Sequence, residues 1–156
     1  MTTSTDELDA LVAAVLGSSK YRAVAPDLVR AIGARELAAR PNLKTAIKAT
    51  KNTLHQAGGA FTDAPIDYDR ALAELRAAAA AGDEPFRAAC RAVMTRHTST
   101  RERLPILDDF YATTLAGLPP PGRVLDVACG LNPLAWPWLP LPPATELIAY
   151  DIYADQ

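Results

Sequence analysis

The stretch RVLDVACGLNPLAWPW, residues 123–138, places small side chains directly after an apolar run that contains an acid, Asp126. In nucleotide-binding βαβ units, the loop after the first strand runs beneath the cofactor, and an acid at the end of the second strand accepts hydrogen bonds from the ribose hydroxyls. Asp151 ends a second apolar run, ELIAYD, 25 positions after Asp126. A carboxylate that accepts hydroxyl donors contributes about 1.5 to 3 kcal/mol. The spacing therefore predicts that Asp151 binds a ribose beside the turn formed by Ala128, Cys129 and Gly130.

The glycine content of this turn indicates the class of ligand. A dinucleotide needs the pattern G-x-G-x-x-G, which lets the backbone approach a pyrophosphate at a helix N-terminus. The turn ACGLNP has one glycine, so a pyrophosphate fits it poorly. A cofactor without phosphates, such as S-adenosylmethionine, needs only small residues where the chain passes close to it, and Ala128 and Gly130 meet that need. The alternative is a turn that binds no ligand, because turns between strands and helices often contain glycine.

Neighbouring residue types suggest other chemistry that the sequence does not favour. Cys90 and Cys129 have no C-x-x-C spacing and no clustered histidines, so we expect neither a disulfide scaffold nor a metal site. No histidine has a spacing that would activate Cys129 as a nucleophile. Trp136 and Trp138 could stack on a base, but we expect them to pack against the sheet.

A basic region lies in the N-terminal part of the chain, although the net charge of the 156 residues is only -2. Between positions 20 and 51 there are eight basic and two acidic residues, a local net charge of +6. Lys44, Lys48, Lys51 and His55 are spaced 4, 3 and 4 apart, which places them on one stripe of a helix. Such a stripe is often only a solvated face, but backbone neutralisation supplies most nonspecific RNA affinity. We therefore expect the three lysines to bind RNA.

The elements that position these residues change in character after His97. Helical periodicity and capping signals predict five helices in residues 1–97, near 6–16, 26–39, 43–57, 68–81 and 84–97. FTDAPI, residues 61–66, reads as a loop. Residues 98–118 are expected to continue as a helix, in which Ser99 and Glu102 have the spacing of a capping box. LPPPG is a stiff linker, after which a strand, a turn with a short helix, and a second strand begin a βαβ unit.

The chain ends five residues after Asp151, and two parallel strands alone leave both faces and both edges of a sheet uncovered. A doubly wound sheet needs several more strands. We expect the N-terminal part of a longer protein, a truncated gene product, or a fragment that needs a partner. No stretch has the character of a signal peptide or the length of a membrane span, which predicts a cytoplasmic location without membrane contact.

HTSTRERLPILDDFY, followed by LDVACGLNPLA and IAYDI, resembles the aminoglycoside-resistance 16S rRNA (guanine-N7)-methyltransferases of drug-producing actinobacteria, of the sisomicin-gentamicin resistance type. The similarity extends upstream through SKYRAVAP, KATKNTLHQAGGAF and AAGDEPFRAA, and so covers most of the chain in order. The resemblance implies that residues 1–97 form an α-helical N-terminal domain that grips the small ribosomal subunit. Residues 98–156 would then be the first, truncated part of a Rossmann-like α/β domain that binds S-adenosylmethionine.

The resemblance also implies roles for individual residues. Arg103 would contact the cofactor carboxylate, with Arg101 a weaker candidate; without the resemblance, Arg103 reads as an exposed helix charge. Ala128, Cys129 and Gly130 would lie beside the methionine portion of the cofactor. Asp151 and Ile152 would hold the ribose and the adenine.

The implied reaction is methylation of guanine N7 in the decoding site of 16S rRNA within the 30S subunit. No catalytic residue can be assigned, and we expect the 156-residue chain by itself to lack activity. Two other functions stay open. A noncatalytic helical module that binds RNA or protein would not bind S-adenosylmethionine, and a small-molecule methyltransferase would have no role for the basic helix.

Overall fold

The structure, a computed structural model, describes residues 5–58 and 66–155. The described elements are the α-helices α1 Thr5–Leu16, α2 Pro26–Ala39, α3 Leu43–Gly58, α4 Tyr68–Ala81, α5 Asp83–Met94, α6 Thr98–Arg101 and α7 Leu107–Thr114, with the strands β1 Arg123–Val127 and β2 Glu146–Tyr150. Two 3-10 helices lie at Leu104–Ile106 and Asn132–Trp138. The five helices predicted for the first 97 residues are confirmed. The predicted loop at 61–66 lies outside the described residues except for Ile66.

Local signals explain where these helices begin. The Asn42 side chain accepts a hydrogen bond from the Thr45 N–H at 3.0 Å, and the Asp67 side chain accepts one from the Arg70 N–H at the same distance. Both bonds satisfy helix donors that have no partner within the helix. Pro26 occupies the first position of α2, where its missing N–H costs nothing.

The prediction of one continuous helix after His97, opened by a capping box, is wrong. Ser99 lies inside α6, and its Oγ is 2.9 Å from Nδ1 of His97, so it does not cap the helix. Glu102 follows the last residue of α6. Pro105 lacks an N–H and disfavours helical geometry in the residue before it, which accounts for the short 3-10 turn that separates α6 from α7.

The described chain falls into two compact units. The first contains α1, α2 and α3 together with Ile152–Asp155, and the second contains residues 66–151. The predicted domain boundary after residue 97 lies inside the second unit. In the first unit, the three helices share an apolar core, whose fully buried members include Leu11, Val15 and Val29.

In the second unit, α5, α7 and the 3-10 helix after β1 share another core. Its buried residues are Cys90, Met94, Leu107, Tyr111, Ala135 and Trp138. β1 and β2 pair in parallel, with Val127 opposite Tyr150, so the predicted succession of strand, short helix and strand is confirmed. On the outer face of this sheet, Leu125, Val127 and Tyr150 are all more than half exposed. The opposite face carries Val124 and Asp126, which are half-buried.

Candidate functional site

The turn that follows β1 and the acid that follows β2 are joined directly. The Gly130 N–H donates to Oδ2 of Asp151 at 2.8 Å. The Cys129 N–H donates to the carbonyl of Tyr150 at 3.1 Å, which carries the sheet pairing into the turn. The predicted neighbours Gly130 and Asp151 therefore lie together, because parallel strands bring their carboxyl ends to the same edge.

The backbone of this turn is left-handed at two positions. Ala128 has a φ of 56° and Gly130 a φ of 49°. Among the described residues, Ala128 is the one non-glycine residue with positive φ. This conformation costs an L-residue roughly 1 to 2 kcal/mol, and such strain is concentrated at functional sites.

His97 sets a second requirement for the glycine. A Cβ on Gly130 would lie 3.1 Å from Cε1 and Nε2 of the His97 ring. Burial lowers the pKa of His97; the charge of Asp151 opposes this effect and that of Arg103 adds to it. The turn is thus packed against an imidazole that favours its neutral form.

Arg103 takes part in a network of side chains beside the turn. Its Nε donates to the Ser99 carbonyl at 3.0 Å, and its Nη1 donates to Oδ1 of Asn132 at 2.9 Å. The Tyr111 hydroxyl donates to the same Oδ1 at 2.6 Å. The Asn132 N–H donates to the Cys129 carbonyl at 2.9 Å, so Arg103 is connected to the predicted turn through one residue.

Asp126 closes this network from the strand. Nδ2 of Asn132 donates to Oδ2 of Asp126 at 2.6 Å. Sequence reasoning did not identify Asn132, Tyr111 or His97 as residues of the site. Asn132 could have been noticed as a polar residue two positions after Gly130, whereas no local pattern marks Tyr111 or His97.

Cys129, Trp136 and Trp138 could each have a chemical or a stacking role, and the surroundings of each one argue for a structural role. Burial raises the pKa of the Cys129 thiol, and the charges of Asp151 and Asp126 raise it further, so the thiol stays protonated at neutral pH. Trp138 is buried among helical residues, where its Nε1 donates to Asp108 at 2.9 Å. Trp138 therefore packs against helices and not against the sheet, while Trp136 lines a cavity of about 220 Å³ beside β1.

Arg101 and Ile152 are the two remaining residues that the resemblance assigns to the cofactor. Arg101 is exposed, and its Nη2 lies 3.5 Å from Oγ1 of Thr98. Ile152 belongs to the first compact unit, where its carbonyl accepts the Ala25 N–H at 2.8 Å.

The basic residues of α3 lie along one exposed stripe. Lys44, Lys48 and His55 are exposed, and Lys51 is half-buried. Nδ1 of His55 lies 3.0 Å from Nζ of Lys20, which adds another cation to this surface. The opposite face of α3 buries Ala46, Thr50 and Leu54, so the predicted basic stripe lies away from the core.

Residues 5–58 and 66–155 contain no group of three or more histidine, cysteine, aspartate or glutamate side chains that could hold a metal ion. None of their helices combines the length and the apolar character needed to cross a membrane.

This chain is similar to curated proteins and solved structures that are named as 16S rRNA methyltransferases. A 16S rRNA (guanine(1405)-N(7))-methyltransferase of Micromonospora echinospora is 45% identical over 159 residues, which cover 99% of this chain and 58% of the relative. A protein of the same name from Micromonospora rosea is 43% identical over 160 residues, with the same coverage of both chains. This chain thus spans 58% of the length of these relatives.

Among solved structures, the 16S rRNA methylase RmtB superposes with a TM-score of 0.73 at 32% identity, over 95% of this chain and 55% of that one. The 16S rRNA methyltransferase RmtF, in complex with S-adenosyl-L-homocysteine, superposes with a TM-score of 0.69 at 31% identity, over 98% of this chain and 56% of that one. A sequence model described as "Ribosomal RNA methyltransferase (FmrO)" matches residues 17–156. Since this match spans most of the chain and confirms the resemblance stated above, the chain belongs to the ribosomal RNA methyltransferase (FmrO) family.

Proposed function

We propose that this protein acts in the S-adenosylmethionine-dependent methylation of guanine N7 in the decoding site of 16S rRNA, and thereby in resistance to aminoglycosides. The observation that carries the proposal is the hydrogen bond from Gly130 to Asp151, which joins a tight turn of small residues to an acid at the end of the next strand. Relatives named for this reaction, and a solved relative that holds S-adenosyl-L-homocysteine, support it.

The residues around the turn fit a cofactor that has a ribose and a free amino acid part. Ala128 and Gly130 put little bulk where a ligand would pass the backbone. A carboxylate offers about four acceptor positions, so Asp151 can hold the turn and also accept ribose hydroxyls. The hydrogen bonds of Arg103 go to neutral acceptors, a carbonyl, an amide and a hydroxyl, which leaves its charge suited to a ligand carboxylate. The assignment of Ile152 to the adenine stays a prediction from the resemblance.

When bound, the cofactor supplies an electrophilic methyl group on a sulfonium. Guanine N7 has a lone pair and no proton, so the protein needs no general base. The contribution of this chain is to orient: Arg103 and Asp151 would fix the two ends of the ligand, and the turn would exclude water from between them. The methylated guanine carries a positive charge and has lost an acceptor, which disfavours a cationic aminoglycoside nearby.

The RNA partner is proposed from the charge of α3. Lys44, Lys48 and Lys51 follow one stripe of the helix, and the neighbouring Lys20 lies beside the end of that stripe. RNA phosphates are recognised by such arrays through release of their counterions. We therefore assign residues 1–97 to binding of 16S rRNA in the 30S subunit and residues 98–156 to the start of a Rossmann-like methyltransferase domain, in a protein that works in the cytoplasm.

The decisive experiment titrates the 156-residue chain with S-adenosylhomocysteine by calorimetry and compares it with Asp151→Ala. Loss of a charged acceptor should weaken binding by about tenfold or more. Asp155→Ala, which removes an exposed carboxylate four positions later, is the matched control and should bind as the parent does.

Each open alternative predicts a different result. A noncatalytic RNA- or protein-binding module would show no heat of binding with the parent chain, and this outcome would contradict the proposal. A small-molecule methyltransferase would bind S-adenosylhomocysteine but not isolated small ribosomal subunits, as measured by filter binding. Binding of both ligands is the result we expect.

A further inference from the structure

The network around Asn132 separates a guanidinium from a carboxylate. Oδ1 of Asn132 is 2.9 Å from Nη1 of Arg103, and Nδ2 of the same amide is 2.6 Å from Oδ2 of Asp126. The amide is therefore inserted between two opposite charges that would otherwise attract each other. Arg103 forms no ion pair among the described residues, although Asp126 lies one side chain away.

Few side chains can occupy this position. The site needs an acceptor facing Arg103 and a donor facing Asp126, and an amide supplies both on adjacent atoms. Tyr111 fixes the orientation, because its hydroxyl donates to the same Oδ1 at 2.6 Å and therefore faces the oxygen of the amide. Tyr111 is itself buried in the core formed with α5, so its hydroxyl has little freedom to move.

We propose that Asn132, oriented by Tyr111, is a positioning residue that keeps Arg103 from pairing with Asp126 and so reserves its charge for the carboxylate of the cofactor's amino acid part. This inference rests on the proposed function and adds to it the group that determines selectivity for an amino acid ligand. A guanidinium already paired with an internal carboxylate gains little from a second one, whereas one bound to neutral acceptors gains the full charge-assisted bond.

The test exchanges the two groups. The variant Asp126→Asn with Asn132→Asp keeps the net charge and keeps one amide next to one carboxylate, but it moves the carboxylate onto Arg103. Two ligands are titrated by calorimetry: S-adenosylhomocysteine, and 5′-methylthioadenosine, which has the adenosine and sulfur without the amino acid part. A matched surface exchange, Asn52→Asp with Asp69→Asn, controls for the substitutions themselves, since both residues are exposed.

The exchanged variant should lose about tenfold or more of its affinity for S-adenosylhomocysteine, approaching the loss in Arg103→Gln, while its affinity for 5′-methylthioadenosine stays within about twofold of the parent's. Tyr111→Phe, which keeps the ring and removes the hydroxyl, should show a smaller loss with the same selectivity. If the exchanged variant does not fold, Tyr111→Phe tests the inference in its place.

Two results would overturn the inference. One is an exchanged variant that binds S-adenosylhomocysteine as tightly as the parent does. The other is an equal loss for both ligands, in either variant, because this shows general damage to the turn. In both cases the parent still binds S-adenosylhomocysteine, so the proposed function stands; a parent that binds neither ligand instead contradicts the proposed function.

Discussion

The Gly130 N–H donates to Oδ2 of Asp151 at 2.8 Å, across 21 positions of the sequence. This bond fixes the turn after β1 to the acid after β2, so a change in either residue also acts on the other. His97 adds a third member, since a Cβ on residue 130 would lie 3.1 Å from its ring.

Replacing Gly130 by alanine should damage both stability and cofactor binding. The left-handed backbone costs alanine about 1 to 2 kcal/mol, and the new Cβ would lie 3.1 Å from the His97 ring. Gly117→Ala is the matched control, because φ there is 78° and nothing lies within 4 Å. Denaturant unfolding should show a larger loss for Gly130→Ala, and calorimetry should show weaker S-adenosylhomocysteine binding for that variant alone. Identical behaviour of the two variants would exclude the His97 contact as a constraint.

Ala128→Gly should leave the free energy of unfolding unchanged or raise it by up to about 1.6 kcal/mol. Glycine relieves left-handed strain of about 1 to 2 kcal/mol, and the greater freedom of the unfolded chain offsets about 0.4 to 1 kcal/mol of that gain. Ala77→Gly, at an exposed position inside α4, should instead lose about 1 kcal/mol. Urea unfolding of both variants measures the contrast, and a loss at Ala128 as large as that at Ala77 would contradict the strain.

Stability should fall as the pH drops below about 6.5, the ordinary pKa of histidine. Burial lowers the pKa of His97 in the folded protein, so the unfolded chain binds more protons in this range and the free energy of unfolding rises with pH. The contribution is complete above the unfolded pKa and is lost as the pH falls toward the lower folded pKa.

The free energy of unfolding should therefore rise with pH across this range in the parent and in His55→Gln. The slope of this rise should be smaller in His97→Gln. His55 is the suitable control, because it is exposed on α3. Equal slopes in all three proteins would assign the pH dependence to other groups.

Gly58→Ala should loosen the segment after Asp151. A Cβ at this position would lie 2.6 Å from the Tyr153 hydroxyl oxygen and 2.7 Å from Cδ1 of Ile152. That segment is held by hydrogen bonds from the Ala25 N–H to Ile152 and from the Ala154 N–H to Ala23, at 2.8 and 2.7 Å. Hydrogen exchange of these two amides should accelerate in Gly58→Ala.

The control for this prediction is Gly33→Ala, whose Cβ would instead meet the Leu11 side chain in the core of α1 and α2. It should lower stability without selective exchange of the amides of Ala25 and Ala154. Equal protection of these amides in both variants would show that Gly58 has no special role in holding the segment.

Replacing Lys44, Lys48 and Lys51 by glutamine should weaken binding to small ribosomal subunits and flatten its salt dependence. Each lost phosphate contact lowers the slope of log affinity against log salt by roughly 0.7 to 0.9. Filter binding over a salt series measures this slope. The control is Arg123→Gln, which removes an exposed cation outside residues 1–97 and should keep the parent's slope. Equal slopes in the parent and the lysine variant would remove α3 from the RNA surface.

The sequence by itself determined the elements whose signals are local. Asn42 and Asp67 cap α3 and α4, Pro26 begins α2, and the two apolar runs form the parallel strands. These signals act within a few residues, so they can be read without knowledge of the fold. The basic stripe of α3 followed from helical periodicity. The pairing of the turn at Gly130 with Asp151 followed from the order of strand, turn and strand.

Tertiary structure alone decided the contacts between residues far apart in the chain. Arg103 meets Asn132 across 29 positions, and the ring of His97 meets Gly130, although no spacing in the sequence marks either pair. Such pairs depend on how strands and helices pack, and packing brings together side chains whose separation along the chain carries no information about their distance in space.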